Sequence, residues 1–336
     1  MPTRDVVGIA CSAGGLTPLR ALVAGLPGSV PAGLLVVRHL SADSSGKLPS
    51  ILTRSGKLAA AFAGHGERIQ YGRIQIAPAG HHMVVHEEEL MLTRGPKINR
   101  VRPSADALFR SLARWHGSRS VAVVLSGMLD DGAAGAAAVA ARGGTVLVQQ
   151  PSDADYPSMP SAALKTVPGA ISVPSSKLAE AVLDLVGREA AAPSQPASAE
   201  LVWETDMAEP AEDVPPDRPR PGWPSNVTCP ACFGAMNLVD SMDDLHLRCH
   251  VGHVYSPLSL LADQARAGES ALWHAIALLE EQTSIRLALA ERSRAAHRHP
   301  EEAAHFKVPR AAKQAADAVR SQLPDDGWLE DPTEQA

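Results

Sequence analysis

The feature that most constrains this chain is a series of short, continuously apolar runs separated by helix-like segments: Val6–Ala10, Gly33–Arg38 (GLLVVR), Val121–Ser126 (VAVVLS) and Thr145–Gln149. A strand that is apolar on both faces must be covered on both, and parallel strands joined by helical crossovers achieve this. Residues 5–187 therefore predict an α/β fold in three layers, a doubly wound and mostly parallel sheet between two sets of helices. A helical pattern follows the first run to about Leu26. Others lie at Ala105–Trp115, with Ser104 as N-cap, at Ala133–Arg142, closed by Gly143 and Gly144, at Ser161–Thr166 and at Leu178–Val186. Ala170–Val173 adds a strand. Arg73–Ala77, His82–Val85 and Leu90–Thr93 read as short strands with turns between them, the pattern of a β-hairpin.

In such a sheet the carboxyl ends of the strands line one edge, and ligands bind there. Three residues suited to one chemistry emerge on that edge. Ser12 lies in Ala10-Cys11-Ser12-Ala13-Gly14-Gly15, between the first strand and its helix. His39 ends the second strand, and Asp131 lies in the loop Gly127–Gly132 after Val121–Ser126. A serine needs a base to take its proton, and the base needs an acid to fix its tautomer and stabilise its cation. The turn at Ala13 and Gly14 and the helix behind it offer free N–H groups to a developing oxyanion. Taken singly, the three have plainer readings as a helix cap, a packed histidine and a turn aspartate. Position 10 is Ala, so the G-x-S-x-G elbow is not matched. Their coincidence on one edge is what points to a Ser-His-Asp esterase.

With these residues in view, the sequence resembles the catalytic domain of the CheB-type chemotaxis protein-glutamate methylesterases. The resemblance runs over residues 5–187. It rests on A-C-S-A-G-G, V-R-H after the second strand, I-A-P-A-G-H-H-M at 76–83, N-R-V-R-P-S-A-D-A-L-F at 99–109 and L-S-G-M-L-D-D-G-A-A-G at 125–135. It implies Ser12 as nucleophile, His39 as general base and Asp131, not Asp130, as the orienting acid, with the Met128 backbone N–H in the oxyanion hole. It implies hydrolysis of glutamate γ-methyl esters on the cytoplasmic helices of chemoreceptors, extending to receptor glutamine deamidation, with no cofactor for catalysis. Arg102 is a candidate to attract the acidic receptor surface, with a role at a turn as the alternative. The chain departs from the family's habit at Cys11 and Ala13 beside the nucleophile and at Leu129, where a glycine is usual. The first esterase strand begins at about residue 5, which leads us to expect no phosphoacceptor receiver domain ahead of it. The alternatives are a non-catalytic signalling adaptor, or a serine esterase acting on a different ester.

Beyond residue 187 the character changes. Residues 188–225 are rich in Pro, Ala, Glu and Asp and predict a flexible or extended linker. Residues 226–297 predict a small module that opens with Cys229-Pro-Ala-Cys232 and Cys249-His-Val-Gly-His253. Two such knuckles suit a tetrahedral zinc, with Cys229, Cys232, Cys249 and His253 as ligands and His250 as the alternative fourth. A closed Cys3His shell makes that zinc structural, and the module resembles a zinc-ribbon-like unit appended to some stand-alone methylesterases. A long helix follows at about Pro257–Ala296, with Leu272, Ile276, Leu279 and Thr283 on one stripe, a surface for packing or self-association. Residues 298–336 read as a loosely helical or disordered tail. A linker of this kind predicts that residues 1–190 alone turn over a small activated ester as fast as the full chain.

The net charge of −6 argues against binding nucleic acid through bulk basic charge. No apolar run is long enough to span a membrane, and no export signal is visible at the start, so the expectation is a cytoplasmic protein with reduced thiols.

Overall fold

The computed structural model describes residues 2–39, 46–191, 196–208, 222–241, 244–296 and 311–323. In chain order the elements are β1 (Val6–Cys11), α1 (Leu16–Gly25), β2 (Gly33–Arg38), α2 (Leu48–Ser55), β3 (Ala59–Phe62), β4 (Glu67–Arg68), β5 (Arg73–Ile76), β6 (His82–His86), β7 (Glu89–Thr93), α3 (Ala105–Trp115) and β8 (Ser120–Val124). There follow α4 (Ala133–Ala141), β9 (Thr145–Gln149), α5 (Ser158–Thr166), β10 (Ile171–Val173), α6 (Leu178–Leu185), α7 (Ala199–Ala208), β11 (Trp223–Thr228), β12 (Ala235–Ser241), β13 (Asp244–Cys249), β14 (Val254–Tyr255) and α8 (Pro257–Ala295).

The main sheet has seven strands in the order β10-β9-β8-β1-β2-β5-β3, and every pairing in it is parallel. Alternation along β1 shows why both faces need cover. Val7, Ile9 and Cys11 pack with Leu19 and Leu22 of α1, Leu52 of α2 and Val182 of α6. Val6 and Ala10 pack on the opposite face with Leu108, Phe109 and Leu112 of α3 and Val139 of α4. The chain builds outward from β1 to β2, β5 and β3, then returns to the other side through β8, β9 and β10. The carboxyl end of β1 is thus the topological switch point, where a crevice opens beyond the strand ends.

The predicted hairpin is β6 paired with β7, which β4 extends into a three-stranded antiparallel sheet. Arg73–Ile76 belongs instead to the main sheet, between β2 and β3. The edge strand β3, Ala-Ala-Ala-Phe, carries too little patterning to be seen in the sequence.

The expectation of a linker over 188–225 does not hold for its described part Ala199–Ala208. There α7 is a helix whose Trp203, Glu204 and Thr205 are buried. The physical reason is that α7 has a partner the composition could not announce. Arg114 of α3 donates to the Val202 carbonyl at 3.2 Å and the Thr205 hydroxyl at 2.6 Å, and pairs with Asp206. Strands β11–β14 form a separate four-stranded antiparallel sheet. The chain divides into two compact units, Met1–Ser259 and Leu260–Ala336, so this small sheet belongs with the seven-stranded α/β unit. In the second unit Ile276 is buried, Leu272, Leu279 and Thr283 are half-buried, and Arg320 pairs with Glu280 at 2.5 Å. Among the described residues no helix is long and apolar enough to cross a membrane.

Candidate active site

Three adjacent central strands, β8, β1 and β2, deliver the site. The parallel register pairs Cys11 with Arg38, so the next residues out, Ser12 and His39, lie side by side beyond the strand ends. The His39 N–H donates to the Cys11 carbonyl at 3.1 Å, which ties it to β1, and the Ser12 N–H donates to the Ser126 carbonyl at 2.9 Å, which ties it to the segment after β8. Gly127 lies so close to Ser12 that an added Cβ would come within 2.8 Å of Ser12 Cβ and 2.0 Å of Met159 Sδ. Gly14 turns the chain at φ +67°, with its Cα facing Ser126 Oγ and the Asp155 Cβ. Ser126 Oγ donates to the Ala13 carbonyl at 2.9 Å and accepts from the Tyr156 N–H at 3.0 Å, locking the turn.

His39 Nε2 donates to Asp131 Oδ2 at 2.8 Å. A carboxylate on Nε2 fixes the neutral ring as the Nε2–H tautomer and leaves the lone pair on Nδ1, which is the state a general base needs. The His39 side chain is 12% exposed and that of Asp131 is 3%. Burial works to raise the Asp131 pKa, but hydrogen bonds from His39, Ser104 and the Ala105 N–H outweigh it and hold the group below the usual carboxylate range. Ser104 Oγ donates at 2.7 Å and the Ala105 N–H at 2.6 Å, so Asp131 sits on the amino end of α3. There the helix dipole favours an anion. Asp106 returns the arrangement, accepting from the Gly132 and Gly135 N–H groups at 3.0 and 2.7 Å at the start of α4. Asp131 rather than Asp130 is therefore the residue that meets the histidine.

The N–H groups of Ala13, Gly14 and Met128 donate to no acceptor among the described residues and are the local candidates for an oxyanion hole. Cys11, beside Ser12, is fully buried, and burial pushes its thiol up to about 12, which disfavours the reactive thiolate. Arg102 Nη1 donates to the Arg94 and Gly95 carbonyls at 2.9 and 2.6 Å, which is the turn-holding alternative of its two readings.

A family model described as CheB methylesterase matches residues 7–182, just over half of the chain. The chain belongs to the CheB methylesterase family. Among its relatives, a protein-glutamate methylesterase/protein-glutamine glutaminase 2 of Methanosarcina acetivorans is 33% identical over 192 residues, 55% of this chain and 54% of that protein. The corresponding protein-glutamate methylesterase/protein-glutamine glutaminase of Moorella thermoacetica is 34% identical over 190 residues, 55% of this chain and 45% of that one. The crystal structure of the Thermotoga maritima CheB methylesterase catalytic domain aligns with a TM-score of 0.53 at 29% identity, covering 55% of this chain and 100% of that domain. The chain spans about half the length of the curated relatives it matches.

The cysteine cluster lies outside this CheB methylesterase match. The small sheet brings Cys229, Cys232, Cys249 and His253 together with their ligand atoms all within 4.8 Å of one another. Each knuckle is a closed turn: the Phe233 N–H donates to the Cys229 carbonyl at 2.8 Å and the Gly252 N–H to the Cys249 carbonyl at 3.0 Å. His250 is exposed and is not among the four.

Two groups were silent in the sequence. Asn99 and Asp106 both stand in the string Asn99–Phe109, but nothing in their residue types set them apart from a loop amide and a helix-start acid. Ser104 was legible as a cap, which it is, its Oγ accepting from the Ala107 N–H at 3.5 Å. Its second bond, to Asp131, was not.

Proposed function

We propose that this chain is a protein-glutamate methylesterase that hydrolyses glutamate γ-methyl esters on methylated chemoreceptors. The observation that carries the reading is the His39–Asp131 pair at 2.8 Å, set beside Ser12 by strand register. Ser12 Oγ attacks the ester carbonyl as its proton passes to His39 Nδ1. The charge that develops on the carbonyl oxygen is met by the N–H groups of Ala13, Gly14 and Met128. The intermediate collapses, and the imidazolium protonates the departing methoxide, so methanol leaves. Water, deprotonated by His39, then attacks the acyl-enzyme and frees glutamate and Ser12. These steps need only proton transfer and charge stabilisation, both within reach of this chain's own groups. The relatives' names pair this activity with a glutaminase, and the same machinery would release ammonia from a receptor glutamine. Methanol release from methylated receptor fragments tests the reading; full activity in Ser12→Ala overturns it.

The Cys3His cluster fits a structural zinc. Its four donors fill a tetrahedral shell and leave no position for substrate, so the metal would hold the small sheet together. Metal analysis should find one zinc per chain, lost in the Cys229→Ser, Cys232→Ser double variant. Retention in that variant would remove the assignment.

A further inference from the structure

The loop before α3 meets the small sheet directly. Ile98 bridges to Val254 in parallel fashion, the Asn99 N–H donates to the Val254 carbonyl at 2.8 Å, and the Val254 N–H donates to the Lys97 carbonyl at 3.3 Å. Strand β14 thus continues onto the methylesterase domain. Asn99 stands at this seam, 6% exposed and in the left-handed region at φ +48°, a conformation that asparagine tolerates better than most residues. Its carboxamide faces both ways. Nδ2 donates to Asp131 Oδ1 at 3.2 Å and to Asp106 Oδ2 at 2.7 Å. Oδ1 accepts from the Ser256 N–H at 2.9 Å and from Ser259 Oγ at 3.1 Å. Two donors and two acceptor positions are all that a carboxamide has, and each is in use.

We propose that Asn99 is a positioning residue for ester hydrolysis, holding Asp131 while the segment Val254–Ser259 holds Asn99, so that the C-terminal module completes the catalytic triad. The proposal rests on the esterase reading of Ser12, His39 and Asp131. Turned the other way, the carboxamide would set its oxygen against two carboxylates. Ser256 and Ser259 supply the donors that keep its oxygen on the module side and its N–H groups on the acid. Asn99 bonds the Asp131 oxygen that does not take the histidine, and so sets the plane in which the other oxygen meets His39. Because Asn99 bonds to the acid and the module, its effect belongs on kcat rather than KM.

The test uses the full chain and a small activated ester. Asn99→Ala and Asn99→Asp should lower kcat about tenfold to a hundredfold, with KM held within about twofold. Asn99→Asp keeps the acceptor for Ser256 and Ser259 but sets a third carboxyl group against Asp131 and Asp106, so a loss in this variant counts for the proposal only together with the loss in Ser259→Ala, which adds no charge. Ser259→Ala should lower kcat about threefold to tenfold, and should add nothing in the Asn99→Ala background because the two share one path. Wild-type kcat in Asn99→Asp, or additive losses in the double variant, would overturn the proposal. A second readout needs no turnover: the proton NMR resonance of the His39 Nε2–H held by Asp131 should shift or broaden in Asn99→Asp and Ser259→Ala. If the wild-type chain proves inactive, the esterase reading fails by itself. An unmoved resonance in both variants would then reject the Asn99 link separately. Melting curves by circular dichroism identify any variant that does not fold, and Ser259→Ala, which removes only a hydroxyl, carries the test if the Asn99 variants are lost.

Discussion

Asp131 offers two oxygens to five donors, from His39, Asn99, Ser104, Ala105 and Asp106, and this crowding keeps a buried carboxylate ionised and pointed at one imidazole. An amide in its place would offer an N–H where His39 and the α3 amides need an acceptor. Asp131→Asn should therefore cost about 10⁴-fold in kcat, while Asp130→Asn stays near wild type; ester turnover of the two variants side by side decides it. Gly127→Ala should abolish turnover while the chain still folds, since the new methyl group collides with both Ser12 and Met159. Loss of fluorophosphonate labelling at Ser12 with an unchanged circular dichroism spectrum is the expected result. Ser12, His39 and Asp131 were legible as candidates because serine, histidine and aspartate are distinctive residue types and strand ends are easy to place. Asn99 was not, because an asparagine before a turn looks the same whether its amide meets water or a buried carboxylate.

At the level of elements, the β6 histidine sets a pH limit on the site. His82 is 1% exposed, accepts from the Ser104 N–H through Nδ1 at 3.2 Å and donates from Nε2 to the Pro96 carbonyl at 3.0 Å. Burial, ahead of every other influence, lowers its pKa to about 4. The unfolded chain takes up a proton there near pH 6.5 and the folded chain does not until about 4, so stability falls as the pH drops through that window. The loss should approach about 3 kcal/mol by pH 4. Denaturation midpoints at pH 7 and pH 5 should differ more in the wild type than in His82→Gln. The loop before α4 carries a different cost. Leu129 is held at φ +61°, a conformation that disfavours side chains. Leu129→Gly should give a net gain of about 0.5 kcal/mol, read as a raised melting temperature. The departure at this position was visible in the sequence. Its backbone angle was not, because the loop is shaped by Asp131 and Gly132 meeting α3.

At the scale of the molecule, α7 and the small sheet are fastened to α3 by buried charge. Glu204 accepts from His246 Nε2 at 3.0 Å and Arg248 Nη2 at 2.5 Å, with Arg110 Nη1 at 3.6 Å, and the Arg248 guanidinium lies 4.6 Å over the Trp203 ring. Burial works against the Glu204 charge, but Arg248 and His246 hold its pKa far below the ordinary carboxylate value. Removing one partner of such a cluster leaves the others buried and uncompensated. Glu204→Ala should destabilise the chain by about 3–5 kcal/mol, seen in denaturant unfolding. The docking also reverses the expectation of a free tether. A chain ending at residue 190 lacks α7, β14 and the Ser256 and Ser259 donors, so it should turn over a small ester more slowly than the full chain.

Sequence alone determined the layered parallel fold, the strand ends that carry Ser12, His39 and Asp131, and the two knuckles of the cysteine cluster. Each of these is written in local pattern: apolar runs, turn residues and ligand spacing act over a few positions and survive without knowledge of distant partners. Only the tertiary structure decided that α7 is a helix in a Pro- and Ala-rich stretch, that Glu204 meets Arg248 across 44 residues, and that Asn99, which bonds Asp131, meets Ser259 across 160. Those outcomes depend on which polar groups are left buried and unsatisfied when the elements pack. A buried donor or acceptor must find a partner wherever the fold happens to bring one.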